Sequence, residues 1–230
     1  MIVINYLLHD LLITIPLFLW VIFIMKVVSR RIYGFAVKKG YPPESATYFG
    51  RKTIHILASG VAAILIPIFY KEPVIPFLSA LILAIYTYLP HKKNNLKEWY
   101  QTKENTKEVN FSIMWGISIL VGWFFDKTFW LGVIPVLFMS FGDGITGIIR
   151  NIRYKKRNKG WEGSLGMLIV CVIIGLRMGV AGIIAAIFAT IVEKSDLIDD
   201  NISVPVVSLL ILIIIKYFYP PLTQSFFLNN

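Results

Sequence analysis

Apolar runs long enough to cross a lipid bilayer dominate this sequence and decide what it can fold into. A helical run of about 18 or more apolar residues suffices to span the hydrocarbon core, and several such runs alternate with short polar segments. Hydrophobic residues make up 57% of the 230 positions and charged residues 16%, whereas soluble domains have roughly 45–50% and about 25%. The surplus of apolar side chains is therefore expected to face lipid.

The runs predict about eight short transmembrane helices in one all-α, polytopic membrane domain that covers residues 1–230. The expected spans are 7–28, 54–70, 74–90, 110–125, 129–149, 164–177, 179–193 and 204–219. Lysine and arginine number 19 in the loops after the odd-numbered spans and three in the opposite loops. Because Lys and Arg concentrate in cytoplasmic loops, we expect both termini outside the cell membrane and the basic loops in the cytoplasm.

The stretch 164–193 has two interpretations, one long helix or a hairpin of two short helices. One long helix would place Arg177 near the bilayer centre, at a cost of about 2.5–3.5 kcal/mol. Three glycines surround this arginine and favour a turn: Gly175, Gly179 and Gly182. We therefore predict two helices. This choice brings Glu193 to the same membrane face as the basic segment 150–159, whereas a single helix would separate them by the whole membrane.

Four polar clusters then fall at the cytoplasmic ends of spans. The first, Arg51, Lys52 and His55, lies at the expected start of the second span, where helical spacing puts these side chains on one face. Two cations and an imidazole at a helix start suit the oxygens of a phosphate. The alternative is a pair of basic anchors at the membrane surface beside an unrelated histidine.

The second cluster is Asp143, which has a glycine on each side inside an apolar run. A carboxylate at this depth is costly, and such residues usually face a cavity and have a partner. Gly142 and Gly144 are expected to break the helix and to let a ligand or an ion approach the backbone. The alternative is a structural aspartate paired with a nearby lysine.

The third cluster is the basic segment from Arg150 to Lys159, which also contains Arg157 and leads into Glu162, Gly163 and Ser164. A helix start offers free N–H groups and the positive end of the helix dipole. Together with the cations, these groups are expected to bind a polyphosphate. The alternative is electrostatic contact with anionic lipid headgroups.

The fourth cluster is acidic and stands out on a basic membrane face. Its members are Glu193, Asp196, Asp199, Asp200 and Asn201. Mg²⁺ prefers oxygen ligands of this kind and is often held by one or two carboxylates together with substrate phosphates. The alternative is a solvated acidic turn that caps a helix. We expect Asp143, Glu193, Asp200 and Asn201 to hold Mg²⁺ or another divalent cation.

A basic phosphate site and an acidic metal site on one membrane face predict an enzyme of phosphoryl or nucleotidyl transfer. In this chemistry the protein positions the groups and neutralises charge, through Lys, Arg and Mg²⁺. The sequence contains neither a Walker-type phosphate loop nor the protein-kinase motifs. A nucleotide triphosphate would therefore be bound in an unrelated way.

The order of the clusters resembles that of the polyprenol kinase family, which includes dolichol kinase, phytol kinase and CTP-dependent diacylglycerol kinase. The similarity covers residues 51–205 and is carried by four motifs. These contain Arg51, Lys52 and His55; Gly142 and Asp143; Lys159, Glu162, Gly163 and Ser164; and Glu193, Asp200, Asn201 and Pro205. Two positions depart from the family: Gly160 replaces a frequent Ser or Thr, and Arg150 replaces a frequent glycine. The compact length is typical of a prokaryotic, for example an archaeal, member.

The resemblance implies transfer of the γ-phosphate of CTP to the hydroxyl of a membrane lipid alcohol, such as dolichol or another polyprenol, with a divalent metal. In that setting Asp143 or His55 would accept the hydroxyl proton. Arg51, Lys52, Arg150, Arg157, Lys159, Glu162, Gly163 and Ser164 would contact the nucleotide and its phosphates. A CDP-alcohol phosphotransferase and a prenyltransferase each need aspartates that are missing here. The main alternative is a small ion-coupled transporter with Asp143 as its coupling carboxylate.

Overall fold

The chain folds into a bundle of α-helices, seen here in a computed structural model that describes residues 2–155, 158–195 and 198–226. The helices are α1 Ile2–Phe23, α2 Ser29–Lys38, α3 Pro43–Thr53, α4 Val61–Phe69, α5 Val74–Lys92, α6 Lys107–Phe125, α7 Trp130–Leu137, α8 Asp143–Tyr154, α9 Trp161–Gly175, α10 Gly179–Lys194 and α11 Asp200–Phe218. Over these residues the only extended pairing is a single bridge between Thr102 and Asn105. The all-α prediction is confirmed.

Within the described ranges, seven helical stretches are long and apolar enough to cross a membrane. The longest of them, Trp161–Lys194, contains α9 and α10, which are separated by one tight turn at Leu176–Met178. Gly175 and Gly182 lie so close that a Cβ on Gly182 would sit 1.9 Å from the Gly175 carbonyl oxygen. The two helices therefore pack against each other as the predicted hairpin, so one of the seven stretches contains two helices. The total of eight membrane crossings stays a prediction.

The turn between α9 and α10 has the features that the sequence predicted. Gly179 adopts a φ of +58°, a backbone conformation that side-chain-bearing residues rarely take. Arg177 is partly buried, and its guanidinium lies 4.7 Å from the centre of the Trp130 ring. A cation over an aromatic face is stabilised without full dehydration, which explains how an arginine is tolerated at this membrane end.

Three π-helical turns interrupt otherwise continuous helices, and two of them carry predicted site residues. Ile54–Gly60 joins α3 to α4 and contains His55, while Phe138–Gly142 joins α7 to α8 and ends beside Asp143. The two turns contact each other, as the 2.6 Å hydrogen bond between the Ser59 and Ser140 hydroxyls shows. Wider turns of this kind are often found at functional sites. The expected break at Gly142 and Gly144 is therefore wrong: the helix widens there and continues.

The segment Trp130–Tyr154 lies at the centre of the bundle, because 78% of its apolar window is buried inside the protein. The corresponding share for the first segment, Asn5–Lys38, is 17%, so this helix is peripheral and faces mostly lipid. Close packing at the centre depends on small residues. A Cβ on Gly122 would lie 2.3 Å from the backbone of Gly132, which shows how closely α6 and α7 approach.

Several predicted boundaries are wrong in the same direction, because helices continue past the membrane into polar sequence. The second span begins at Pro43 rather than at residue 54, so Arg51 and Lys52 lie inside a helix and not at its start. Likewise α8 extends to Tyr154, and Arg150 is a helical residue instead of part of a loop. Because Arg51 lies inside a helix, its backbone N–H is used within the helix, and its side chain alone is available for a ligand.

Candidate active site

A polar cavity of about 230 Å³ lies at one end of the bundle, where α3, the segment before α6, α8 and α11 converge. Its lining includes six of the predicted site residues: Arg51, Lys52, His55, Asp143, Asp200 and Asn201. These residues come from three of the four sequence clusters. The prediction that distant polar motifs gather at one membrane boundary is therefore consistent with the fold; whether that boundary faces the cytoplasm stays a prediction.

Lys52 and His55 both meet the carboxylate of Asp143. Lys52 Nζ donates a hydrogen bond of 2.5 Å to Asp143 Oδ2, and His55 Nδ1 lies 3.3 Å from the same oxygen without good hydrogen-bond geometry. All three residues are at most 4% exposed. The His55 ring also stacks on Phe111, with ring centres 4.1 Å apart. The ring is therefore held between an aromatic face and a carboxylate.

The pairing of Asp143 depends on close approach between α8 and α3. A Cβ on Gly147 would lie 2.4 Å from the Lys52 side chain, and one on Gly144 would lie 2.7 Å from Ile56. Glycine at both positions allows the Lys52 stem to run along α8 and reach Asp143. The lysine partner that the structural alternative predicted for Asp143 is therefore present, and a catalytic or metal-binding role of Asp143 stays a prediction.

Arg150 and Glu193 form a second buried ion pair behind the cavity. Arg150 Nη1 donates to Glu193 Oε1 at 2.7 Å, and Nη2 donates to Glu193 Oε2 at 3.2 Å. The guanidinium also donates to the Ser164 hydroxyl and to the Gly160 carbonyl oxygen. With Arg150 4% exposed and Glu193 1% exposed, Arg150 binds its neighbours in the protein. A direct contact from Arg150 to phosphate stays a prediction.

Gly163 explains how Arg150 reaches Glu193. A Cβ at position 163 would lie 2.4 Å from Arg150 Nε, so any larger residue would displace the guanidinium. Glu162, in contrast, points away from the cavity, where it accepts hydrogen bonds from the Tyr154 hydroxyl and pairs with Arg153. Gly163 and Ser164 therefore position Arg150. Glu162 instead binds Tyr154 and Arg153 near the surface.

Lys159 links the two acidic residues that follow α9. Its ammonium group lies 3.1 Å from Asp200 Oδ1 and 3.6 Å from Glu193 Oε1, and it also donates to the Glu193 carbonyl oxygen. Two further predicted residues, Arg157 of the basic segment and Asp196 of the acidic cluster, lie outside the residues that the structure describes. The basic segment thus provides, through Lys159, a cation that contacts both Asp200 and Glu193.

Three carboxylates converge where these pairs meet. Asp143, Glu193 and Asp200 offer oxygens that all lie within 4.8 Å of one another. Two ligands on opposite sides of one Mg²⁺ lie about 4 Å apart, so small shifts would bring the three onto one ion. The neighbouring Asn201 has a buried Oδ1 with no hydrogen-bond partner. The oxygens of Asp143, Asp200 and Asn201 therefore fit a divalent cation, whereas both oxygens of Glu193 accept hydrogen bonds from Arg150. Binding of such a cation stays a prediction.

Sequence reasoning missed a buried network around Glu108. Glu108 Oε1 lies 2.6 Å from His91 Nε2 and accepts a 2.8 Å hydrogen bond from Gln101, while Oε2 lies 3.8 Å from Arg51 Nη2. Arg51 Nε also donates to the Tyr100 carbonyl oxygen. These contacts hold the segment between α5 and α6 over the cavity. A glutamate in the first turn of an apolar helix was the only sequence signal for this network.

The polar cavity also contains residues from regions interpreted as connecting loops. Tyr48 and Thr47 come from the polar first part of α3, and Thr102, Lys103 and Asn105 come from the segment before α6. Pro43 at a helix start with Glu44 in the first turn is a common helix-initiation pattern. This pattern could have extended the second helix backwards and revealed the Tyr48 side of the cavity.

A second, apolar cavity of about 100 Å³ runs along the inside of the bundle between α1, α4, α5 and α6. Its wall on the α3–α4 side follows helical spacing: Ile54, Ala58, Ala62, Ile66 and Tyr70. Two residues, Arg51 and His55, line both cavities. The membrane-embedded apolar space and the charged polar space therefore meet at these two side chains.

Comparisons with known proteins agree with this chemistry at a coarse level. No family model matches the chain, and no solved structure is significantly similar to it. A protein named probable phytol kinase, chloroplastic, from Zea mays is 26% identical over 198 aligned residues, which cover 70% of this chain and 64% of that protein. Probable phytol kinase 2, chloroplastic, from Glycine max is 26% identical over 194 residues, covering 70% and 63%. The match thus spans just under two thirds of each relative, and both printed names describe kinases; a prokaryotic origin stays a prediction.

Proposed function

We propose that this protein is a lipid-alcohol kinase that transfers the γ-phosphate of a nucleotide triphosphate to the hydroxyl of an isoprenoid alcohol at the membrane surface. One observation carries the proposal: a charged cavity and an apolar intramembrane cavity meet at Arg51 and His55. A kinase with a lipid acceptor needs such a meeting point, because the phosphate comes from water and the alcohol from the bilayer. The named activity of the plant relatives supports the same reaction class.

The nucleotide phosphates would lie in the polar cavity against Arg51, Lys52 and Lys103, which line it. In phosphoryl transfer the charge spreads over the phosphate oxygens, and fixed cations lower the barrier by neutralising it. Lys52 is held by Asp143 and Arg51 by the Tyr100 carbonyl oxygen, so neither must be reordered when a nucleotide binds. We take CTP as the donor from the family resemblance.

A divalent cation, Mg²⁺ in the first instance, would be held by Asp143 and Asp200, with Asn201 and Glu193 close by. When bound, it would supply charge neutralisation on the phosphates. Asp143 and Asp200 contact their lysines through Oδ2 and Oδ1, respectively, which leaves the other oxygen of each for a ligand. Because Lys52 and Lys159 compensate their charge, the carboxylates can stay close together beside the polar cavity.

His55 is the group that the acceptor hydroxyl would meet first, because it lines the apolar cavity whereas Asp143 lines only the polar one. With Nδ1 turned toward Asp143, the free nitrogen Nε2 would take the hydroxyl proton. The alcohol oxygen then bonds to the γ-phosphorus, the bond from this phosphorus to the bridging oxygen breaks, and the nucleoside diphosphate leaves. A histidine oriented by a carboxylate is a common arrangement for activating a hydroxyl.

The experiment is a transfer assay with the purified protein in lipid nanodiscs. The protein is incubated with Mg²⁺ and with CTP or ATP labelled on the γ-phosphate, together with geranylgeraniol, phytol, a long polyprenol or diacylglycerol. We expect label in a chloroform-soluble phosphate with an isoprenoid acceptor. The Asp143→Asn variant serves as the inactive control. Absence of labelled lipid with every donor and acceptor would refute the proposed function.

A further inference from the structure

Arg51 and Glu108 form an ion pair that stays open. Arg51 Nη2 and Glu108 Oε2 lie 3.8 Å apart, and neither atom has a hydrogen-bond partner. The two residues are only 7% and 8% exposed, and buried polar groups are almost always hydrogen-bonded in proteins. An approach of about 1 Å would bring the two atoms to the usual length of a charge-assisted hydrogen bond. Other contacts must therefore keep the carboxylate away from the guanidinium.

The second oxygen of Glu108 explains why the pair stays open. Glu108 Oε1 lies 2.6 Å from His91 Nε2 and accepts a 2.8 Å hydrogen bond from Gln101 Nε2. Because a carboxylate only accepts hydrogen bonds, the His91 nitrogen is the donor. Gln101 is itself fixed, since Nε2 also donates to the Thr87 carbonyl oxygen and Oε1 accepts from the Lys97 N–H. One oxygen is thus bonded to α5 and the segment after it, while the other lies near the guanidinium without bonding to it.

The Arg150–Glu193 pair shows the closed alternative within the same protein. There both carboxylate oxygens accept hydrogen bonds from the guanidinium, at 2.7 and 3.2 Å. An arginine bound in this way has its charge compensated by the carboxylate. Arg51 differs, because Nε donates to the neutral carbonyl oxygen of Tyr100 and the nearest carboxylate stays at 3.8 Å. Its positive charge is therefore less fully compensated, at a place where it lines the polar cavity.

The position of Glu108 fits a distant counter-charge. Glu108 lines the apolar cavity and Arg51 lines both cavities, so the guanidinium borders the polar cavity and the carboxylate lies on its other side. A buried charge without any compensation is costly, and a carboxylate at this distance lowers that cost before a nucleotide binds. A carboxylate in direct contact would instead occupy the guanidinium and compete with a phosphate. The open pair avoids this competition.

We propose that His91 and Gln101 are positioning residues that act through Glu108: they hold its carboxylate back from Arg51, so that the guanidinium keeps its capacity to bind a phosphate of the nucleotide. The inference rests on the proposed kinase function and adds three residues that lie outside the four sequence motifs. When either donor is lost, the carboxylate is free to close on Arg51, and a phosphate must then displace it. None of the three residues contacts the nucleotide itself.

The test measures equilibrium binding of labelled CTP with Mg²⁺ to the protein in nanodiscs, without an acceptor alcohol. His91→Phe and Gln101→Met each remove donors to Glu108 and keep a side chain of similar size. We expect each to weaken CTP binding about fivefold or more, on the scale of one hydrogen bond. His91→Gln keeps a donor and should stay within twofold of the unmodified protein. His9→Phe is the matched control, because its side chain is 47% exposed at the opposite end of the bundle, and its affinity should not change.

A second substitution separates this role from damage to the fold. Adding Glu108→Gln to His91→Phe or to Gln101→Met should restore the CTP affinity to within twofold, because a neutral amide cannot compensate the charge of Arg51. Glu108→Gln alone should bind CTP at least as tightly as the unmodified protein, although its melting temperature should fall as Arg51 loses its counter-charge. A purely structural role of the two donors predicts instead that the losses of affinity accumulate in the double variants.

The transfer assay on the same proteins keeps the two proposals apart. If CTP binding changes as expected but the unmodified protein labels no lipid alcohol, the kinase function fails and the positioning role stands. If the unmodified protein transfers phosphate, but CTP binding is unchanged in the single variants or is not restored by Glu108→Gln, the kinase stands and the positioning role is refuted. Should one single variant not fold, the other decides. Failure of the unmodified protein to bind either CTP or inorganic tripolyphosphate would overturn the positioning role as well.

Discussion

Lys52 Nζ and Asp143 Oδ2 lie 2.5 Å apart, and this contact joins two helices across 91 residues of sequence. Both side chains are about 95% buried. A buried ion pair of this kind gives little net stability, yet removal of one partner leaves an uncompensated charge and is strongly destabilising. The pair therefore has two effects that experiments can separate: it supports the fold, and it places a carboxylate and an ammonium beside the polar cavity.

Asp143→Asn should abolish transfer and also lower stability. Without the carboxylate, Lys52 remains charged and buried, at a cost of about 3–5 kcal/mol, and His55 loses the group that orients it. The double variant Lys52→Gln/Asp143→Asn should recover most of the melting temperature, because both charges are removed, but it should remain inactive. Melting temperatures in detergent and transfer rates are measured for the three proteins. Recovery of activity in the double variant would contradict the role of Asp143.

His55→Gln should reduce the transfer rate by about 10²–10⁴-fold, the usual contribution of a general base. The nucleotide KM should change little, because Arg51, Lys52 and the carboxylates are intact. His9→Gln is the control: its side chain is 47% exposed at the opposite end of the bundle, so its rate should equal that of the unmodified protein. An equal loss in both variants, or a selective increase in the nucleotide KM for His55→Gln, would argue against His55 as the proton acceptor.

The hairpin at Arg177 could be predicted from the sequence, whereas the partner of Arg150 could not. An arginine flanked by glycines in an apolar stretch has a direct physical cost as part of one long helix, so local sequence alone favoured a turn. The Arg150–Glu193 pair joins residues 43 positions apart, and each looked like a ligand for phosphate or metal when read alone. Their mutual contact depends on how α8 packs against the hairpin, which no local pattern encodes.

The residues of the polar cavity also divide into some that the sequence predicted and some that it did not. Asp143 and Asp200 were predicted to meet, because each is a costly or unexpected charge at one membrane boundary. Glu108 was missed, since a glutamate near a span end is common as a solvated residue. Its burial depends on the fold of the segment between α5 and α6, which Gln101 holds in place through the Thr87 carbonyl oxygen.

Arg150→Gln should destabilise the protein through Glu193, by about 3–5 kcal/mol, because a carboxylate that is 1% exposed would lose its two hydrogen bonds. The matched control is Arg153→Gln one helical turn later. The Arg153 side chain is 65% exposed and pairs with Glu162 at the surface, where an ion pair contributes at most about 1 kcal/mol. Thermal unfolding in detergent compares the two. Equal stability of both variants would show that the buried pair does not support the fold.

Removal of divalent cations should stop transfer, and Asp200→Asn should raise the Mg²⁺ concentration required for half-maximal rate by at least tenfold. Asp200 is the carboxylate of the cluster that follows the hairpin and lines the polar cavity. Asp126→Asn, which removes a surface partner of Lys216 at the other end of α11, should leave the Mg²⁺ dependence unchanged. Rates are measured against Mg²⁺ after chelator treatment. Undiminished transfer in excess chelator would rule out the metal site.

Gly182→Ala should separate α9 from α10 and reduce activity at a distance from the chemistry. The added methyl group would lie 1.9 Å from the Gly175 carbonyl oxygen, which is backbone and cannot rotate away. The helices must therefore move apart, and Glu193 at the end of α10 would shift relative to Arg150. We expect a lower melting temperature together with a lower transfer rate. Gly34→Ala is the control, because a Cβ there has no atom within 4 Å and alanine is the better helix former; its stability should be equal or higher. If Gly182→Ala were as stable and active as Gly34→Ala, the close helix contact would not be what brings Glu193 to Arg150.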